Sequence, residues 1–273
     1  MIDFHMHVFP DHLAERAMKT LSQHGGGLEP VFDGTLAGLR QLLSDEGLDA
    51  GVVLTIATKP SQEASVNRFA LQHNRDNIFF FGSVHPHSHH AFDHLRQLKE
   101  AGIRGIKLHP EYQGFSIDDP QALPLYEAIA ELGMITVFHM GLDIGYDLPS
   151  RCRPAALASV LPFFQGAPVV AAHYGGYMLW DEVGRELVGK PVYLDTSYSH
   201  SRIPAPIATR LIRDHGADRI LFGSDAPWSR PFLEAQMIRH LDLTEKEIEM
   251  ILDGNARRLL GMPAKASDGT MSN

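Results

Sequence analysis

Cysteine occurs once in 273 residues, at Cys152, so an intramolecular disulfide is excluded and any metal site must draw on nitrogen and oxygen ligands. No apolar run approaches the roughly 18 residues of a membrane span. The opening MIDFHMH places Asp3, His5 and His7 where a secretory signal would need an apolar stretch. Positive charge is also scarce, with 24 Lys and Arg against 33 Asp and Glu and a net charge of −9. That balance argues against nucleic acid, which calls for a surplus of basic side chains on one face. It leaves room for a local basic pocket and a small anionic substrate. No linker rich in Pro, Gly or Ser divides the chain, and no short repeat is visible. These absences predict a cytoplasmic protein with one domain over residues 1–263, a polar tail over 264–273, and no membrane partner. The expected partners are a small-molecule substrate and a second copy of the chain in a homodimer.

What remains is an ordinary globular composition, 44% hydrophobic and 21% charged, with 16 histidines. Short apolar runs alternate with longer amphipathic stretches. Strands are expected at Ile2–Val8, Ala50–Ile56, Ile78–Val84, Gly105–His109, Met134–His139, Val169–His173, Val192–Thr196 and Ile220–Gly223. Helices are expected at Ala91–Ala101, where Phe92, Leu95 and Leu98 recur at helical spacing, and at Gln121–Leu132, Ala155–Phe164 and Ile207–His215. Thr244–Leu260 is expected to form two helices, opened by a Thr244/Glu247 capping box and broken at Asp253-Gly254-Asn255. Eight strands, each followed by a helix, at roughly 250 residues predict an α/β chain closed as a (β/α)₈ TIM barrel.

In such a barrel the strand C-termini form the active-site mouth. Read in order, these ends carry His5 and His7, then Thr55, His85, Lys107 and His109, His139, His173, Asp195 and Asp225. His5 and His7 share one side of a strand and can aim at one ion. Asp225 ends a very apolar strand, where an unpaired carboxylate is costly, so a metal or a proton would satisfy it. His139 and His173, each taken alone, read equally as core histidines.

The segments DFHMH, GIKLHP, VFHMG, AAHYGG, GSDAPW and GNARRLLG, in this order, resemble the amidohydrolase superfamily. They point to its amidohydrolase-related branch, which includes aminocarboxymuconate-semialdehyde decarboxylase. The resemblance spans essentially the whole chain. It implies a divalent ion on His5, His7, His139 and Asp225, with His173 beside it as acid, base or electrostatic stabiliser. Three imidazoles and a carboxylate suit Zn²⁺, with Mn²⁺ or Fe²⁺ as alternatives, and one ion is favoured over two. The implied reaction is attack of ion-activated water on an amide, ester or lactone carbonyl, with Asp225 and His173 as catalytic residues. The alternative is a metal-dependent non-oxidative decarboxylase, a carboxy-lyase acting on a small carboxylic acid.

Lys107 has three readings: the carbamylated bridge of a two-metal site, an ion pair with Glu111, or a cation for a substrate carboxylate. His109, Arg151 and Trp228 join it as candidate substrate-binding residues. Tyr112 and Tyr174 follow strands and can shape the pocket. His85 can line the pocket, and His87–His90 read as a solvated loop. Cys152, between Arg151 and Arg153, reads as an incidental thiol whose basic neighbours could lower its pKa. Gly25–Val31 reads as a flexible loop that could act as a lid.

Overall fold

The computed structural model describes residues 1–265; the expected tail lies outside the described residues from 266 onward. Eight strands form in the expected order: β1 (Ile2–Met6), β2 (Ala50–Leu54), β3 (Ile78–Phe81), β4 (Gly105–Leu108), β5 (Ile135–Phe138), β6 (Val169–Ala171), β7 (Tyr193–Asp195) and β8 (Ile220–Leu221). They pair in parallel as β1-β2-β3 and β4-β5-β6-β7-β8. Two seams close the ring. At one, Lys107 N–H donates to Gly82 O at 2.8 Å; at the other, Phe4 N–H donates to Phe222 O at 2.8 Å and His7 N–H to Ala226 O at 2.7 Å. The result is the expected TIM barrel.

Nearly every strand residue is buried, as expected for parallel strands covered on both faces. One apolar cluster joins Val52, Val137, Val170 and Leu221 from four strands. A larger one packs helix faces, such as Leu95 and Leu98, against Phe80, Ile106 and Phe138. No helix among the described residues is long and apolar enough to cross a membrane.

Three details differ from expectation. The strands stop one to three residues short of their predicted ends, so His7, His109, His139 and His173 sit on the turns that follow, as Asp225 does after β8. The apolar runs are long because they also fill the turn beneath the mouth. Phe92 is 43% exposed, while Ala91, Leu95 and Leu98 carry the buried face of Ala91–Glu100. The break expected at Asp253-Gly254-Asn255 is a π turn, Met250–Gly254, within continuous helical backbone running from Glu245 to Leu259. Gly254 keeps φ −60° and ψ −41° there. Asn255 explains the wider turn. Its buried amide donates to Ala217 O and Ile220 O, both at 2.7 Å, and ties the last helix to β8.

Replacing Asn255 by Ala would leave these two carbonyls without that donor. We expect Asn255→Ala to lower stability by about 1–3 kcal/mol, read as a lower urea midpoint with an unchanged denaturation slope.

Candidate metal centre

Five histidines and four acids or hydroxyls meet at the C-terminal mouth. His5 is the fourth residue of β1 and His7 lies just beyond it. Each ring is fixed through its Nδ1. His5 Nδ1–H donates to Asp195 Oδ2 at 2.8 Å, and His7 Nδ1–H donates to Leu54 O at 2.9 Å. His173 Nδ1–H donates to Ser197 O at 3.1 Å. A carbonyl or carboxylate oxygen can only accept, so in each neutral ring the proton sits on Nδ1 and Nε2 is bare.

The bare nitrogens turn inward. His7 Nε2 lies 3.0 Å and His5 Nε2 3.5 Å from Asp225 Oδ1. His173 Nε2 lies 3.1 Å from His139 Nδ1. A lone pair set against a carboxylate is repulsive unless positive charge lies between them. His5 does not supply it, because burial, with Lys107 alongside, pushes its pKa down to about 4. For Asp225, burial opposes ionisation, but its close contacts with His5 and His7 more than offset it and hold the carboxyl at about 2. Lys107 supplies part of the charge: its Nζ is 3.4 Å from His5 Nε2. Burial is the main reason its own pKa falls to about 8, against the pull of Asp195 and Asp225. His5, His7 and Asp225 therefore fit a divalent cation by donor chemistry, and their ligand atoms lie within 4.8 Å of one another.

A second group, His109, His139 and Asp143, is equally compact but differs in proton placement. His109 Nδ1 accepts from Tyr112 N–H at 3.4 Å, so its proton is on Nε2, facing Asp143 Oδ2 at 3.5 Å. That is a donor set against an acceptor. His139 stands between the groups, with Nδ1 toward His173 and Nε2 3.7 Å from Asp143 Oδ2. Its ring stacks on His109 at 4.1 Å, and His109 stacks on Tyr112 at 3.8 Å. Burial foremost, with neighbouring cationic positions, pushes both imidazoles well below their ordinary pKa.

The backbone supports the site at some cost. His173 and Asp225 have φ of 60° and 68°, in the left-handed region that costs roughly 1–2 kcal/mol for a residue with a Cβ. Asp195 Oδ1 accepts His173 N–H and Ser197 N–H, both at 3.0 Å, and holds the first of these turns. Asp225 N–H donates to His5 O and Trp228 N–H to Asp225 O, both at 2.8 Å, and these hold the second.

Not every expected residue joins the cluster. Trp228 is half-buried on the turn after Asp225. Arg151 is 48% exposed, with its Nε 3.7 Å from Glu111 Oε2, so Glu111 pairs with Arg151 and not with Lys107. Cys152 reverses the expectation of a lowered pKa: its thiol is fully buried, and burial pushes its pKa up. His85 is buried and accepts His87 N–H through Nδ1. Val31, at the end of the Gly25–Val31 loop, donates its N–H to Pro227 O at 2.9 Å. The sequence placed Asp195 at the mouth without a specific role and did not single out Ser197 or Asp143. The LDTS and HMGLD spacings put each within a few residues of a strand end, the one signal available.

Asp195→Asn should release the His5 tautomer, because an amide can offer His5 Nδ1 a donor. Nitrogen NMR of the imidazoles would then show His5 moving from the Nδ1–H form toward the Nε2–H form, with His7 unchanged. Comparison with known proteins agrees with this architecture. The amidohydrolase family model matches residues 2–262. Among solved structures, an uncharacterised TIM-barrel protein from Bordetella bronchiseptica superposes with TM-score 0.77 at 22% identity, over 96% of this chain and 98% of that one. A probable 2-pyrone-4,6-dicarboxylic acid hydrolase from Acinetobacter baumannii gives 0.67 at 19% identity, over 96% and 99%. A dihydroxybenzoic acid decarboxylase from a Polaromonas species, with bound manganese and the inhibitor 2-nitroresorcinol, gives 0.68 at 16%, over 95% and 96%. With its barrel, its strand-end histidines and a family match over nearly its whole length, the chain belongs to the amidohydrolase family.

Proposed function

We propose that this protein is a metal-dependent hydrolase that opens an amide, ester or lactone carbonyl of a small molecule. One divalent ion would be held by His5, His7 and Asp225, with His139 as the fourth ligand. The observation that carries the reading is the set of bare imidazole nitrogens pinned around an ionised Asp225. Imidazole and carboxylate donors without thiolate suit Zn²⁺ first, and Mn²⁺ or Fe²⁺ also fit them. When bound, the ion supplies Lewis acidity, polarising a carbonyl and making water acidic enough to lose a proton near neutral pH.

The chain's own groups handle the protons. Asp225, ionised at neutral pH, can take a proton from water at its carboxylate. His173, fixed by Ser197, would accept a proton at Nε2 and return it to a leaving amine or alcohol. Lys107, buried beside His5, serves as a fixed cation for developing negative charge. The same Lys107 favours a second reading, a carboxy-lyase, in which its ammonium holds a substrate carboxylate and protonated His173 delivers the proton that replaces carbon dioxide. The manganese-bound decarboxylase among similar structures adds weight to that reading.

Product analysis in ¹⁸O-labelled water separates the two readings. The hydrolase places the label in a product carboxylate, while the lyase releases unlabelled substrate carbon as carbon dioxide. On a genuine substrate, Asp225→Asn and His173→Ala should each lose at least about 100-fold in turnover; near-normal turnover in both would contradict the assignment. Ser197→Ala, which removes a hydroxyl 2.9 Å from His173 Nδ1 and 3.1 Å from His5 Nδ1, should weaken zinc binding by about tenfold or more in chelator competition.

A further inference from the structure

Next to the imidazole cluster lies a cavity of about 180 Å³, lined by Glu111, Asp143, Tyr146, Asp147 and Tyr177 with apolar Leu142, Ile144 and Leu148. It opens beside the site, since Asp143 lies 3.5 Å from His109 and 3.7 Å from His139, and the Tyr177 ring lies 6.3 Å from that of His173. Its lining contains three carboxylates and no Lys or Arg. The nearest basic side chain in sequence, Arg151, is turned to Glu111. Lys107, the cation of the centre, faces His5. A second observation is independent of the acids: two tyrosines, Tyr146 and Tyr177, are part of the lining. Tyr146 packs against Tyr112 at 5.6 Å, Tyr112 stacks on His109, and Tyr177 packs against Tyr198 at 5.8 Å. The rim is apolar and uncovered, with Ile144 50%, Tyr146 47% and Leu148 72% exposed. Aromatic faces attract cations, and carboxylates in a recess repel a second carboxylate.

We propose that this cavity receives the non-reacting end of the substrate, and that this end is an aromatic or alkyl group carrying an amine, not a carboxylate. The inference rests on the proposed function only in placing the reacting carbonyl at the imidazole cluster. Tyr146 and Tyr177 hold the apolar body, and Asp143 and Asp147 receive the ammonium. This selectivity separates the chain from a dicarboxylate or hydroxybenzoate enzyme, whose substrate would bring negative charge to the same wall.

Three isosteric probes test it: benzylamine, benzyl alcohol and benzoate, titrated by ligand-observed NMR against the metal-loaded protein and against His7→Ala. The variant removes a proposed metal ligand but leaves the cavity wall intact. Benzylamine should bind about tenfold more tightly than benzoate in His7→Ala freed of metal by chelator, where benzoate has no ion to bind. The preference should shrink severalfold in Asp147→Asn, which alters an exposed side chain and should fold normally, and further in Asp143→Asn. Tyr146→Ala should weaken benzylamine and benzyl alcohol together. Benzoate binding as tightly as benzylamine in His7→Ala would overturn the proposal. So would a preference indifferent to Asp147→Asn in correctly folded protein, or no binding of any probe. None of these results bears on whether the ion binds at His5, His7 and Asp225, so the two proposals fail separately.

Discussion

Each of three imidazoles gives its Nδ1 proton to an acceptor that cannot move: His5 to Asp195, His7 to Leu54 O and His173 to Ser197 O. The other nitrogen of each is thereby left bare, those of His5 and His7 facing Asp225 and that of His173 facing His139. Such a hole of lone pairs around a carboxylate is unstable without positive charge, and Lys107 covers only one side of it. The acceptors come from β2 and from β7 with the turn after it, while the rings come from β1 and the turns after β1 and β6. The site therefore exists only because the barrel is closed. In an open sheet, β1 and β7 would not meet through β8, and His5 would lose Asp195.

Closure also explains where strain is tolerated. His173 and Asp225 both adopt left-handed backbone angles although neither is glycine. Asp195 bonds the His173 and Ser197 amides with one oxygen and His5 with the other. One buried carboxylate thus orients a ring and fixes the turn that presents a second one. Burial opposes its charge, but the His5 and His173 positions hold its pKa well below the ordinary range. Dependence on a shared acceptor makes the arrangement cooperative, so the loss of one member is felt by several.

Much of this was readable from the chain. The alternation of short apolar runs with amphipathic segments carries the barrel, because parallel strands covered on both faces have little freedom in composition. Histidines and acids at strand ends carry the site, since polar groups rarely end such strands without a partner. The proton placement was not readable. Nothing in HMH says that His7 will meet Leu54 O, and nothing in VFHMGLD says that His139 will stand between His173 and Asp143. Those contacts depend on ring rotation and on turns whose left-handed residues, His173 and Asp225, carry no glycine to announce them. Cys152 misled for a related reason. Its neighbours Arg151 and Arg153 are basic in sequence, but they turn to Glu111 and Glu182 while the thiol is buried, so burial decides its pKa. The Gly254 break failed because Asn255 ties the helix to β8 more strongly than glycine loosens it.

Positive charge must sit among these bare nitrogens, and anomalous diffraction from crystals grown with zinc would locate it directly. Data collected on either side of the zinc absorption edge should give one peak among His5 Nε2, His7 Nε2 and the Asp225 carboxylate, with His139 or His173 at its edge. A peak confined to His109, His139 and Asp143, or no peak with the histidines left in their present hydrogen bonds, would contradict this placement.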